Sequence, residues 1–131
     1  MTVRILVVDD EPDVEILFRQ QFRRELREGH TLDFALSGEA ALGKLASQVG
    51  GQFDLLVSDI NMPGMSGLDL LSEVKARRPS LPVFIISAYG DGDTVASALA
   101  RGAARFVTKP VDFPRLKRDV SMAVADARGY G

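Results

Sequence analysis

Five side chains in this sequence could do chemistry together: the carboxylates of Asp9, Asp10 and Asp59, the hydroxyl of Ser87 and the ammonium of Lys109. Each stands at the end of a short strand candidate. Ile5-Leu6-Val7-Val8 runs into Asp9-Asp10, Leu55-Leu56-Val57-Ser58 into Asp59, Pro82-Val83-Phe84-Ile85-Ile86 into Ser87, and Arg105-Phe106-Val107-Thr108 into Lys109. The unbroken apolar runs read as strands buried on both faces, because a strand with one wet face alternates. Sites in open α/β sheets form outside the carboxyl ends of strands, where the strand order reverses. One rim is therefore expected to carry three carboxylates, a hydroxyl and an ammonium. At ~4 Å and an effective dielectric of ~20, each pair of like charges costs about 4 kcal/mol, and one lysine does not offset three such pairs. A hard divalent cation does, and Mg²⁺ favours a few carboxylates, a carbonyl and retained waters. A carboxylate held beside such an ion and a lysine is equipped to attack phosphorus and become an aspartyl phosphate. The new group brings a charge of about −1.5 to −2 and three acceptor oxygens, for which Ser87 and Lys109 are the donors at hand.

The elements that must place these groups alternate along the chain. Val14, Leu17, Phe18, Phe22 and Leu26 recur at helical spacing after Pro12, with Arg19, Arg23, Arg24 and Arg27 mostly opposite. Gly29-His30 closes that helix, His30 being expected as an exposed turn residue. Leu32, Phe34 and Leu36 then alternate with polar or small residues, as in a strand near a sheet edge. Ser37-Gly38 opens a helix with Ala41, Leu42, Leu45 and Val49 on one side, ended by Gly50-Gly51. Ser66 and Asp69 resemble a capping box for a helix with Leu68, Leu71 and Val74 on one side, stopped by Pro79. An Ala-rich helix over 94–101 ends at Gly102, and Asp112 caps a last one carrying Leu116, Val120, Ala123, Val124 and Ala127 inward. Five strand and helix candidates in alternation predict an α/β fold, a parallel sheet with helices on both faces joined by right-handed crossovers.

Length and composition agree with that architecture. At 131 residues the chain is about one domain long. A formal net charge of −2 gives no global attraction to nucleic acid or an anionic membrane. No cysteine is present, which excludes disulfides, thiol nucleophiles and thiolate metal sites, and a single histidine argues against zinc and copper. The N-terminal apolar stretch is too short for a signal peptide and nothing approaches a membrane span. A cytoplasmic protein with no membrane and no direct nucleic-acid partner is expected.

Taken singly, each candidate residue has an ordinary explanation. Asp9, Asp10 and Glu11 suit a helix dipole, Asp59 with Asn61 suits an Asx turn, Phe106 suits a core, and Lys109 suits a solvated surface. Placement at four separate strand ends is what sets them apart. The strings Val7-Val8-Asp9-Asp10-Glu11, Ser58-Asp59-Ile60-Asn61-Met62-Pro63-Gly64, Ile86-Ser87-Ala88 and Thr108-Lys109-Pro110 resemble, in order and over nearly the whole chain, the motif set of bacterial two-component response-regulator receiver domains of the chemotaxis type. The resemblance implies a flavodoxin-like (βα)5 fold with a doubly wound five-stranded sheet of order 2-1-3-4-5, a domain over 1–126, and a C-terminal tail or linker stub over 127–131. It implies that Asp59 is the phosphoacceptor, that Asp9, Asp10, Asp59 and the backbone carbonyl of Asn61 hold Mg²⁺ (or Mn²⁺), that Ser87 and Lys109 contact the phosphoryl group, and that Phe106 is a ring that changes rotamer. A cis Lys109–Pro110 bond is implied as well. Asn61 and Tyr89 occupy positions expected to tune dephosphorylation; Tyr89 departs from the small or acidic residue many receivers have there, and its ring is expected to hinder water.

The function implied is a phosphorylation-dependent signalling switch and not a turnover enzyme. A histidine kinase or phosphotransfer protein supplies the phosphoryl group to Asp59, and the face made by the 94–101 helix, the 105–108 strand and the last helix repacks to control a partner or an output domain. Phosphorylation-dependent homodimerisation is a further expectation. Arg101, Arg105, Arg115, Lys117 and Arg118 read as a solvated face or as part of that partner surface. Two other readings fit these residues less well. A haloacid-dehalogenase-type phosphohydrolase places an Asp-x-Asp pattern after its first strand, which Asp9-Asp10-Glu11 misses. A flavodoxin-like flavin carrier needs a Thr/Ser/Gly-rich phosphate loop there, and no P-loop string occurs either.

Overall fold

In the computed structural model, which describes residues 2–47 and 49–129, five strands form one parallel sheet in the order β2-β1-β3-β4-β5. The strands are β1 (Arg4–Val8), β2 (Thr31–Ala35), β3 (Leu55–Asp59), β4 (Val83–Ser87) and β5 (Arg105–Thr108). Six helices connect and cover them: α1 (Asp13–Gln21), α2 (Arg23–Arg27), α3 (Gly38–Ser47), α4 (Gly67–Arg77), α5 (Gly92–Ala100) and α6 (Phe113–Ala127). The inner strands β1, β3 and β4 carry unbroken apolar runs, over 5–8, 55–57 and 83–86, because they bury both faces. Leu6, Val8, Leu56, Val83 and Ile85 pack under α3, α4 and α5, while Ile5, Val7, Leu55, Val57, Phe84 and Ile86 pack under α1 and α6. The second layer is knit by Phe113 of α6, whose ring meets Phe18 edge-on at 5.3 Å and Phe22 at 6.3 Å. Such aromatic pairs are worth about 0.5–1.5 kcal/mol beyond the area they bury.

Several expectations need correction. The first helix is not continuous: at Phe22 the backbone leaves helical geometry (φ −101°, ψ 19°), dividing it into α1 and α2. Burying both Phe18 and Phe22 against Phe113 holds that deviation in place. Leu17 points outward and is 43% exposed rather than facing the core. Val49 lies beyond the end of α3 in an exposed turn. Leu36 follows β2 and is exposed, so the alternation of the edge strand stops one residue early. His30 is not a free turn residue, since its Nδ1 accepts a hydrogen bond from Val3 N–H at 2.9 Å and ties the end of α2 to the entry of β1. On α4, Leu70, Leu71 and Val74 are fully buried and Leu68 only partly.

The helix ends follow the sequence signals. Ser66 Oγ accepts from Asp69 N–H at 3.1 Å, and Asp91 and Asp112 accept from the N–H of Thr94 and Arg115 in the same way. Gly102 takes φ +101° after α5, a left-handed conformation that side chains disfavour. At the end of the sheet opposite the site, the Asp54 carboxylate accepts from Arg4 N–H at 2.8 Å and from Arg128 at 2.8 Å, and Arg128 also donates to Thr2 O. α6 runs to Ala127, and Arg128 is thus fastened to the body of the domain; of the stretch expected as a tail, Tyr130 and Gly131 lie outside the described residues. No described helix is long and apolar enough to cross a membrane.

Candidate functional site

The strand ends lie level because the register pairs Val8 with Ser58, Asp59 with Ile86, and Ser87 with Thr108. Asp59 is the last residue of β3 and Ser87 the last of β4, while Asp9 and Lys109 come directly after β1 and β5. Backbone bonds extend the sheet past its formal ends. Asp9 N–H donates to Ala35 O at 3.1 Å, Ile60 N–H to Ile86 O at 3.0 Å, and Lys109 N–H to Ser87 O at 2.9 Å. The Lys109–Pro110 peptide bond is cis.

These elements gather the carboxylates. One oxygen from each of Asp9, Asp10 and Asp59 lies within 4.8 Å of the others. Lys109 Nζ lies 3.2 Å from Asp59 Oδ1. Asp9 is buried, and its Oδ1 accepts from Glu11 N–H at 2.9 Å. Its pKa is raised above the ordinary 3.8: burial contributes most, the Asp59 and Asp10 carboxylates add to it, and the Glu11 N–H and Lys109 oppose it without cancelling it. A buried carboxylate crowded by two others could hold a cation, whose charge would offset their mutual repulsion. Every ligand atom gathered here is an oxygen, and His30 is engaged at the opposite end of the sheet, so the set fits a hard ion such as Mg²⁺ and not a metal that needs thiolate or imidazole.

The other candidate residues sit around this cluster at different depths. Ser87 is buried, and its Oγ accepts from Tyr89 N–H at 3.0 Å. The Tyr89 ring itself stands in solvent, 69% exposed. Asn61 is exposed in the loop between β3 and α4. Phe106 on β5 is partly buried against the core layer under α3, α4 and α5, close beneath Gly90: a methyl group there would lie 4.0 Å from the Phe106 ring and 3.2 Å from Thr108 Oγ1. The structure therefore gathers Asp9, Asp10 and Asp59 with Lys109 against Asp59, places Ser87 and Phe106 on the neighbouring strands β4 and β5, and leaves Asn61 and Tyr89 on the loops after β3 and β4.

Two features escaped the reading of the sequence. A largely apolar groove of about 500 Å³ opens beside the carboxylates, lined by Val14, Leu17, Phe18, Pro110 and Val111, with Asp9, Asp59 and Lys109 also in its lining. Ile16-Leu17-Phe18 was the available signal: three large apolar residues in succession span about 200° of a helix, wider than one buried face, and Ile16 and Leu17 are left 59% and 43% exposed. The second feature is the packing of Ser58 and Gly67 around the Asp59 backbone. Ser58 is a polar residue in an apolar run and fully buried, with its hydroxyl donating to Asp59 O at 2.9 Å.

Comparison with known proteins agrees with this geometry. Residues 5–121 match the family model described as the response regulator receiver domain. The transcriptional regulatory protein ZraR of Klebsiella oxytoca is 38% identical over 126 residues, covering 96% of this chain and 27% of its own length. Among solved structures, a response regulator receiver domain protein from Clostridium thermocellum superposes with a TM-score of 0.85 at 27% identity, covering 96% of this chain and 97% of that one. The response regulator TrrA of Thermotoga maritima, solved in complex with Mg(2+)-BeF, superposes with a TM-score of 0.77 at 36% identity, covering 92% of this chain and 98% of that one. The chain thus spans about a quarter of the length of ZraR. With the family's strand order, its motifs at four strand ends and a family match over most of its length, this chain belongs to the response-regulator receiver domains, the phosphorylation-dependent signalling switches of two-component systems.

Proposed function

We propose that Asp59 is the phosphoacceptor of this receiver and that the observation carrying this assignment is the contact of Asp59 with Lys109 at 3.2 Å inside a cluster of three carboxylates. A carboxylate oxygen of Asp59 attacks the phosphorus of a phosphohistidine on a histidine kinase or phosphotransfer protein. The O–P bond forms as the P–N bond breaks, and the bonding electron pair returns to the imidazole nitrogen. Lys109 holds the attacking carboxylate in place and then pairs with the phosphoryl oxygens, to which the Ser87 hydroxyl turns and donates. Asp9, Asp10, Asp59 and the Asn61 carbonyl would hold Mg²⁺ (Mn²⁺ in its stead), which when bound supplies positive charge against the phosphoryl oxygens. TrrA, similar to this chain along most of its length, was solved in complex with Mg(2+)-BeF, which supports this choice of ion. The domain is a phosphoacceptor that later loses its group to water, not an enzyme that turns over a substrate.

The apolar groove beside Asp59 suits an apolar helix of the phosphodonor, since it places such a partner within reach of the carboxylate. Phosphorylation turns the Ser87 hydroxyl toward the phosphoryl group, brings Phe106 inward and repacks the face of α5, β5 and α6. That face controls a downstream protein, an output domain or a second copy of the chain. A cytoplasmic location fits such partners. Tyr89 and Asn61 set the lifetime of the acyl phosphate by shaping water access.

Intact mass after incubation with a small phosphodonor and Mg²⁺ tests the assignment. The wild type gains one phosphoryl group and Asp59→Asn gains none; labelling that survives Asp59→Asn overturns it. Followed over time in the same assay, Tyr89→Ala loses the group faster than the wild type.

A further inference from the structure

The groups around the Asp59 carboxylate account for its chemistry but not for its aim, which depends on the backbone that carries it. That backbone is gripped from two sides. On one side the buried Ser58 hydroxyl donates to Asp59 O at 2.9 Å. On the other side stands Gly67, the first residue of α4, whose N–H donates to Ile60 O at 2.9 Å. A Cβ on Gly67 would fall 2.1 Å from Asp59 O, 2.8 Å from Ile60 Cα and 2.9 Å from Asp59 C. All three neighbours are main-chain atoms, so no flexible side chain is available to yield. The φ of Gly67 is not in the left-handed region, so its backbone conformation suits any residue. Glycine is required at this position for space alone.

We infer that Gly67 and Ser58 are positioning residues for the phosphoacceptor: Gly67 lets the first turn of α4 seat directly on the Asp59–Ile60 peptide, and Ser58 fixes the Asp59 carbonyl from beneath. Together with the Ile60 N–H bond to Ile86 O at 3.0 Å, they leave the end of β3 one orientation. The Asp59 side chain leaves the same Cα, so this orientation sets its distance to Lys109 and to Asp9 and Asp10. Relieving a 2.1 Å contact to ordinary van der Waals separation at 3.4 Å or beyond requires α4 and the end of β3 to part by more than an ångström. Misplacement of a reacting group by ~1 Å lowers rates by about 10²-fold.

The inference rests on the reading of Asp59 as phosphoacceptor, and the experiment separates the two. Rates of phosphoryl incorporation from a small phosphodonor are measured by intact mass across a Mg²⁺ titration, with thermal midpoints alongside, for wild type, Gly67→Ala, Ser58→Ala and Gly43→Ala. Gly43, on α3, has open space where a Cβ would go and serves as the helix-glycine control. Gly67→Ala is expected to lower the rate at saturating Mg²⁺ by about 10²-fold and to move the Mg²⁺ midpoint upward under conditions where it stays folded. Ser58→Ala, which removes a donor without adding bulk, is expected to lower the saturating rate several-fold, and Gly43→Ala to match the wild type. A folded Gly67→Ala with a wild-type rate and Mg²⁺ midpoint overturns the inference. So does a rate loss that only follows the unfolded fraction. If Gly67→Ala does not fold, Ser58→Ala decides alone, and an unchanged rate and midpoint overturn the inference. A wild type that takes up no phosphoryl group overturns the phosphoacceptor reading and this inference with it.

Discussion

Glu25 on α2 shows how a single side chain here makes stability depend on pH. Burial pushes its carboxyl pKa upward, but its own backbone N–H and the nearby Lys117 ammonium, 3.1 Å away, outweigh burial and hold it below the ordinary 4.5. A carboxyl whose pKa is depressed by folding adds stability at pH values above its unfolded value, and loses it as the pH falls through the folded one. Glu25→Gln should therefore lower stability by less than about 1 kcal/mol at neutral pH, the pair being partly exposed. The deficit should shrink below pH 4.5 and vanish in stronger acid. Urea midpoints of both proteins from neutral pH to acid check this, and a deficit that is constant across the series contradicts it. This ion pair was not legible in the sequence, because Glu25 and Lys117 are far apart in the chain and meet only when α2 packs beside α6. Asp59, Asp9, Asp10 and Lys109 were legible for the opposite reason. Each is adjacent to an apolar strand, and in a parallel sheet being adjacent to a strand end is already a position in space.

At the level of elements, the sheet was readable and the helices only partly. A doubly buried strand has one reading, whereas an amphipathic helix shows a face without showing where it bends, and so the break at Phe22 between α1 and α2 had no local signal. The helices also differ in how firmly they are held. α4 buries Leu70, Leu71 and Val74 completely, while the only buried residue of α5 is Ala98. Burying a leucine or valine side chain is worth about 1.5–3 kcal/mol, so α5 has less apolar anchorage to lose than α4 when it shifts. Its first turn rests on Asp91, which accepts from both the N–H and the hydroxyl of Thr94. Amides in α5 should exchange at least tenfold faster than those of α4 under native conditions. Adding Mg²⁺ with a phosphoryl mimic should change exchange in α5 and β5 and leave α4 as it was. Equal protection of the two helices, or no response in α5, contradicts this.

For the molecule as a whole, the acidic cluster is a source of instability that function retains. Carboxylate oxygens within 4.8 Å of one another repel by about 3–4 kcal/mol per pair at an effective dielectric of ~20, and a folded domain is stable by only about 5–15 kcal/mol. Removing one of those charges should stabilise the metal-free protein: Asp9→Asn is expected to raise its thermal midpoint by several degrees, at about 3–5 °C per kcal/mol for a domain of this size. Mg²⁺ should raise the wild-type midpoint and leave that of Asp9→Asn nearly unmoved, because a ligand stabilises only the state that binds it. A lower midpoint for Asp9→Asn without metal contradicts this account. The placement of Tyr89 has a practical consequence. The chain has no tryptophan and two tyrosines, so near-ultraviolet emission belongs to Tyr89 and Tyr130 alone. With Tyr130→Phe, the remaining fluorophore is a solvent-facing phenol whose own amide is tied to the Ser87 hydroxyl, and its quantum yield becomes a label-free optical record of what that hydroxyl is doing.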